Sequence, residues 1–134
     1  MNLATMILIG GVLHFGLLLA SASVPRVLDW RRELGKLDPL SQQLVWVHGA
    51  FIVLIIIGFG AVSVGLPNEL AGGSVLARAL CAFIALFWAA RLVVQFFVFD
   101  AKPYLRSALL KLGYNGLTVV FAYFAAVYGM AAMR

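Results

Sequence analysis

The sequence predicts an all-α membrane protein: an antiparallel bundle of four transmembrane helices, with a short amphipathic helix in the first loop. Of its 134 residues, 64% are hydrophobic and only 11% are charged, whereas a soluble domain is about half apolar and about a quarter charged. The apolar residues are gathered into four runs, each close to the ~20 residues that cross a hydrocarbon core of ~30 Å. Because backbone polar groups find no water there, each run is predicted to be helical.

The four predicted spans cover residues 3–24, 44–66, 75–99 and 112–133, and they form a single domain over residues 1–134. The first six residues contain no Lys or Arg. The basic region of a cleaved signal peptide is therefore missing, and we expect the first span to be retained.

The connections carry residues that begin helices. Asp38 followed by Pro39 predicts the start of the second helix, and Ser74 predicts the start of the third, because such side chains cap or fit the first helical turn. Residues 66–73, with a proline and two glycines, predict a turn.

In the first loop, residues 25–43, four apolar side chains share one helical stripe and charged residues fill the rest, which predicts an amphipathic helix at the membrane interface. The four are Val27, Trp30, Leu34 and Leu37.

Basic residues predict the orientation. Seven of them lie in loops 25–43 and 100–111, and only Arg78 and Arg134 lie on the opposite side. The positive-inside rule therefore predicts that both loops are cytoplasmic and both termini outside, in a plasma or inner membrane. Next to apolar runs, such residues meet lipid headgroups, so we expect membrane lipids as partners and no nucleic acid. The seven are Arg26, Arg31, Arg32, Lys36, Lys102, Arg106 and Lys111.

Polar side chains within the spans are the candidate functional residues, because such groups are costly in lipid and mark sites. Counted at ~1.5 Å per residue, they gather in the cytoplasmic half of the spans. We expect a site centred on His14, Arg91 and Gln95, in which Arg91 binds an anion and His14 is an acid–base residue or a ligand. The supporting candidates are His48, Trp88, Tyr114, Asn115 and Thr118.

The fourth span also contains a stripe of small and polar residues. Because small residues let membrane helices approach closely, this stripe is expected to face the other helices. It consists of Asn115, Thr118, Ala122, Ala125 and Gly129.

Three functions agree with this pattern. In the first, the site binds an amphiphile such as a lipid or quinone, and histidine, tyrosine or glutamine moves protons. Arg91 in the third span is followed by Pro103 and by Arg106 and Ser107 before the fourth. In this arrangement the chain resembles the eicosanoid- and glutathione-metabolising membrane enzymes, small four-helix proteins with outside termini and a site facing the cytoplasm. The resemblance implies catalysis, but the Asn and Glu motif of that family's second helix is absent from residues 44–66.

The second function is redox chemistry with a bound b-type haem, with His14 and His48 as metal ligands on adjacent spans and Arg91 at a propionate. The third is a non-catalytic subunit, in a homo-oligomer or a larger membrane complex, in which the polar residues only join helices. The sequence does not decide between an enzyme and a binding or structural protein, nor does it identify the cofactor.

Overall fold

A computed structural model describes residues 2–98 and 107–133, and its regular structure is helical throughout these ranges. Four of the helices are long and apolar enough to cross a membrane, so the predicted all-α class is confirmed, and so are four apolar helices of membrane-spanning length. The helices in chain order are α1 (Leu3–Val27), α2 (Trp30–Glu33), α3 (Pro39–Gly65), α4 (Pro67–Ala71), α5 (Val75–Phe97) and α6 (Ala108–Ala132), with a 3-10 turn at Leu34–Lys36.

The two predicted helix starts are confirmed. Asp38 is the residue before α3, which begins at Pro39, and the Ser74 side chain accepts a hydrogen bond of 3.1 Å from the backbone N–H of Ala77. The prediction of a simple turn at residues 66–73 was wrong, since α4 occupies most of it. Proline at the first position and an acidic residue in the first turn both favour a helix start there.

The helical part of the first loop is divided differently from the prediction of one short helix. Helix α1 continues through Pro25, and α2 makes a single turn before the 3-10 turn begins. The Trp30 ring packs edge-on against Trp46 of α3 at 5.2 Å between centroids, while Arg31 and Arg32 are exposed. An apolar contact on one side and charges on the other preserve the amphipathic character, and the interfacial location stays a prediction.

Helices α1 and α3 cross closely and in opposite directions. A methyl group added at Gly11 would lie 2.7 Å from the Val64 Cγ2 atom and 2.9 Å from the Val64 backbone nitrogen. One added at Gly60 would lie 3.1 Å from the Cβ atom of His14. The two glycines therefore let the backbones approach at this crossing, as small residues do in membrane helix pairs.

Helices α5 and α6 pack through larger side chains. Trp88 stacks on Phe121 with 5.0 Å between ring centroids, and it also contacts Phe124. The α6 residues that are buried form an aromatic-rich face: Phe121, Phe124, Val127, Tyr128 and Ala131. The expected stripe of small residues lies only partly inside: Thr118, Ala125 and Gly129 are half-buried, whereas Asn115 and Ala122 are exposed. The prediction was therefore wrong for Asn115 and Ala122, because aromatic residues form the buried face of α6.

The core is confined to one end of the four long helices. Its buried residues fall within residues 7–17 of α1, 56–63 of α3, 77–88 of α5 and 121–131 of α6. At this end α4 buries Leu70 and Ala71 against its neighbours.

The opposite end, where α1 and α5 end and α3 and α6 begin, is called the basic end here. Residues 18–27 of α1, 39–55 of α3 and 108–120 of α6 include no buried residue. In α5, Gln95 is buried towards this end. The helices are thus tightly packed at the α4 end and open at the basic end.

The close crossing predicts a selective effect of glycine substitution. Gly11→Ala should lower the free energy of unfolding by about 1–3 kcal/mol, the usual cost of overpacking, because the new methyl group meets backbone. Gly16→Ala is the matched control, since a Cβ atom there meets nothing within 4 Å. Thermal unfolding of both variants in detergent measures the difference, and equal melting temperatures would contradict the crossing.

Candidate functional site

His14 lies at the centre of the packed end. Its side chain is fully buried and stacks on Phe124 with 4.0 Å between ring centroids. Phe59 and Tyr128 each present an edge contact at 5.9 Å. The imidazole is therefore enclosed by aromatic rings from α3 and α6, in the region where all four long helices meet.

Both ring nitrogens of His14 are engaged. The indole Nε1–H of Trp88 donates to His14 Nε2 at 3.0 Å, and an indole nitrogen is only a donor. Nε2 is therefore the acceptor and Nδ1 carries the hydrogen, which it donates to the Gly10 carbonyl at 2.7 Å. A neutral imidazole satisfied in this way joins α1 to α5 and has no nitrogen left for a ligand or a proton transfer.

A second buried hydrogen bond joins α3 to α6. The hydroxyl groups of Ser63 in α3 and Tyr128 in α6 lie 2.5 Å apart, and both residues are fully buried. In addition, the Tyr123 hydroxyl donates to the Met6 carbonyl of α1 at 2.7 Å. These bonds connect the α1–α3 pair to the α5–α6 pair.

Three other candidates form a separate cluster nearer the basic end. Gln95 Nε2 donates to the Thr118 hydroxyl, which donates to the Tyr114 carbonyl at 3.1 Å. The Tyr114 hydroxyl in turn donates to the backbone carbonyl of Gln95 at 3.1 Å. This closed set of bonds holds α5 to α6 where their apolar packing is thin.

Arg91 lies between the two clusters. It is one turn before Gln95 in α5, it is half-buried, and its guanidinium carbon lies 5.5 Å from the centre of the Phe121 ring. A cation over a ring face at this distance is favourable. Because Phe121 is also stacked on Trp88, the guanidinium packs on a ring that belongs to the core.

His48 stands apart from His14. Gly60 is the α3 residue beside His14, and His48 precedes it by twelve residues, or about 18 Å along the helix. Two axial ligands must flank one iron, so the structure does not bring the two histidines together as a haem pair. His48 is exposed, and its Nδ1 is bonded to the Leu44 carbonyl at 2.7 Å.

The predicted site is therefore divided. His14 and Trp88 meet, and Gln95, Tyr114 and Thr118 meet, but Gln95 lies seven residues, or about 10 Å, along α5 from Trp88. Asn115 is exposed and is in neither cluster.

Ser63 and Tyr128 were absent from the predicted site. Tyr128 is spaced seven and four residues from Phe121 and Phe124, and this spacing is the signal that places it on the inner face. Pro103 and Arg106, which carry the resemblance to four-helix enzymes, lie outside the described residues.

The four apolar helices are compatible with a small integral membrane protein. Comparison with family models, with curated proteins and with solved structures finds no match for the chain. The function is therefore argued from the side chains themselves.

Removal of the buried imidazole of His14 should destabilise the fold. His14→Ala leaves a cavity and an unsatisfied indole N–H, and we expect it to lower the free energy of unfolding by about 3 kcal/mol. Val12→Ala is the control, since that side chain is 60% exposed in the same helix and should cost little. Unfolding in detergent, followed by tryptophan fluorescence, compares them; a fully stable His14→Ala would show that the bond does not hold the helices.

The bond between Ser63 and Tyr128 can be measured by a double-mutant cycle. Ser63→Ala, Tyr128→Phe and the double variant should give a coupling of about 0.6 kcal/mol, up to about 1.7, as found for hydrogen bonds between membrane helices. The measurement is unfolding in mixed detergent micelles. Additive effects of the two substitutions would mean that the bond contributes nothing.

Proposed function

We propose that this protein lies in the membrane with its basic end in the cytoplasm and binds an amphiphile with an acidic head group, which Arg91 holds. The observation that carries the proposal is the position of Arg91: a half-buried cation at the boundary between the packed and the open parts of the helices. Intramembrane arginines are rare, and they mark ligand or ion sites by default.

The chemistry of the guanidinium supports an acidic head group. It presents several N–H donors in a planar fork, which matches a carboxylate or phosphate with two parallel bonds. In a region of low dielectric such a pairing is stronger than at a surface exposed to water. Arg91 is also placed on the Phe121 ring, so the fork is oriented by the core.

The open end supplies room and apolar surface for a chain. Beyond Arg91, α5 exposes Phe96 and Phe97, and α6 exposes Leu109 and Leu112. Exposed basic residues in the first loop would meet the same layer of head groups from the cytoplasmic side. An acidic amphiphile therefore finds a charge at depth and apolar walls around it.

Binding rather than catalysis is proposed because the histidine at the centre has no free nitrogen. A general acid or base must lie within hydrogen-bond reach of its substrate, and His14 is enclosed by rings and bonded at both nitrogens. The same enclosure supports a structural role for His14 over haem ligation.

The proposal predicts that Arg91→Gln loses the preference for anionic lipid. Native mass spectrometry of the purified full chain, with phosphatidylglycerol or phosphatidylcholine added, should show selective retention of the anionic lipid by the unaltered protein. Loss of charge-assisted hydrogen bonds is worth about 1.5–3 kcal/mol, so the preference should fall at least about tenfold in Arg91→Gln.

Arg78→Gln is the matched control, because Arg78 is an exposed arginine near the other end of the same helix. It should keep the preference. If both variants lose the preference for anionic lipid equally, that preference reflects the overall positive charge of the protein, and the Arg91 site is rejected. If Arg91→Gln is less stable to heat but keeps its lipid preference, Arg91 has a structural role and the proposal fails.

A further inference from the structure

The side of α6 that is turned away from the core combines one polar amide with small side chains. Residues that follow Asn115 in steps of four, three and four positions share one face of the helix. All of them are exposed: Asn115, Val119, Ala122 and Ala126. This set is called the outer face of α6 here. Steps of four and three residues are also the spacing with which two membrane helices pack side by side at a small crossing angle.

Asn115 lies at the depth of the hydrocarbon layer where α6 crosses the membrane. The helix runs from Ala108 to Ala132, so Asn115 is five residues, or about 7.5 Å, from its middle, and half of a hydrocarbon core is about 15 Å. The long side chain of Lys111, one turn nearer the basic end, can extend to the head groups. The side chain of asparagine is too short to do so, and its amide therefore faces acyl chains.

The amide of Asn115 is not satisfied within the chain. Its neighbours Tyr114 and Thr118 turn inward, and both are bonded to Gln95 of α5. Asn115, by contrast, makes no hydrogen bond to any residue in the ranges 2–98 and 107–133. An amide in an apolar layer is costly without a hydrogen bond. The outer face therefore favours contact with a second helix that brings a polar group to the same depth.

A second copy of this chain meets that requirement by symmetry. Two copies inserted in the same orientation have parallel α6 helices, so their Asn115 amides lie at one level. A carboxamide has both donors and an acceptor. Across a two-fold axis, each amide N–H can therefore donate to the oxygen of the other, in an interface that is the same on both copies. Lipid acyl chains offer no such partner.

We infer that this protein forms a parallel, two-fold symmetric dimer in the membrane through the outer face of α6. The paired Asn115 amides satisfy each other, and Ala122 and Ala126, spaced by four residues, let the two helices approach closely. The inference is independent of the proposed Arg91 site, because the Arg91 guanidinium packs on Phe121, which lies on the buried face of α6.

The first test measures association of the full chain in phosphatidylcholine vesicles, by energy transfer between donor- and acceptor-labelled copies over a range of protein-to-lipid ratios. Asn115→Leu should weaken association about sevenfold, the factor expected for two hydrogen bonds between membrane helices. Ala122→Leu should weaken it at least as much, because the larger side chain keeps the helices apart. Ala90→Leu is the matched control, since Ala90 is an exposed alanine of α5, and it should associate like the unaltered chain.

The second test locates the contact by disulfide formation. Val119→Cys should give a covalent dimer on mild oxidation, since a disulfide needs Cβ atoms within about 4.5 Å of each other. Leu86→Cys is the control, because Leu86 of α5 is 66% exposed and Val119 is 68% exposed, and each lies near the middle of its helix. It should not cross-link, and neither should the unaltered chain, whose Cys81 is fully buried.

Three outcomes would overturn the dimer. They are energy transfer no greater than random proximity gives, association of Asn115→Leu equal to that of the unaltered chain, and cross-linking of Leu86→Cys as readily as Val119→Cys. Equal association of the Ala122→Leu and Ala90→Leu variants would reject the outer face of α6 as the contact. Every substituted side chain is exposed, so all variants should fold, which thermal unfolding in detergent checks.

Discussion

The absence of water in a hydrocarbon layer is the constraint on which this structure depends, because every buried polar group must then find its partner within the protein. The imidazole of His14 and the indole of Trp88 satisfy each other, and so do the hydroxyl groups of Ser63 and Tyr128. Each bond crosses from the α1–α3 pair to the α5–α6 pair. The need to satisfy polar atoms therefore also determines how the two pairs are joined.

Those hydrogen bonds can form only where the packing of the helix backbones brings donor and acceptor within reach. Each is modest, about 0.6 kcal/mol on average between membrane helices, and ring contacts add about 0.5–1.5 kcal/mol per aromatic pair. The close approach at Gly11 and Gly60 brings α3 against α1. His14 is then held where Trp88 can reach it and Phe124 can stack on it. Glycine, histidine and aromatic residues thus form one connected arrangement.

The sequence predicted the spans well because the hydrophobic requirement of a membrane helix is local and can be read residue by residue. Which face of a helix is buried depends on its partner. The small-residue stripe of α6 was expected inside, but Asn115 and Ala122 are exposed. Aromatic residues form the buried face instead, where Phe121 stacks on Trp88 of α5. Likewise, the sequence shows that a histidine within a span is energetically costly in lipid, but it does not show what that histidine does there. Only the structure shows that both nitrogens of His14 are hydrogen-bonded.

The division into a packed and an open end gives the proposed site its properties. Phe121 is fixed between Trp88 and the Arg91 guanidinium, so the rigid core orients a group that lies outside it. A ligand that meets a group already oriented loses less conformational entropy on binding than one that must order it. Trp88, which satisfies His14, therefore also supports the ring on which Arg91, the proposed ligand group, packs.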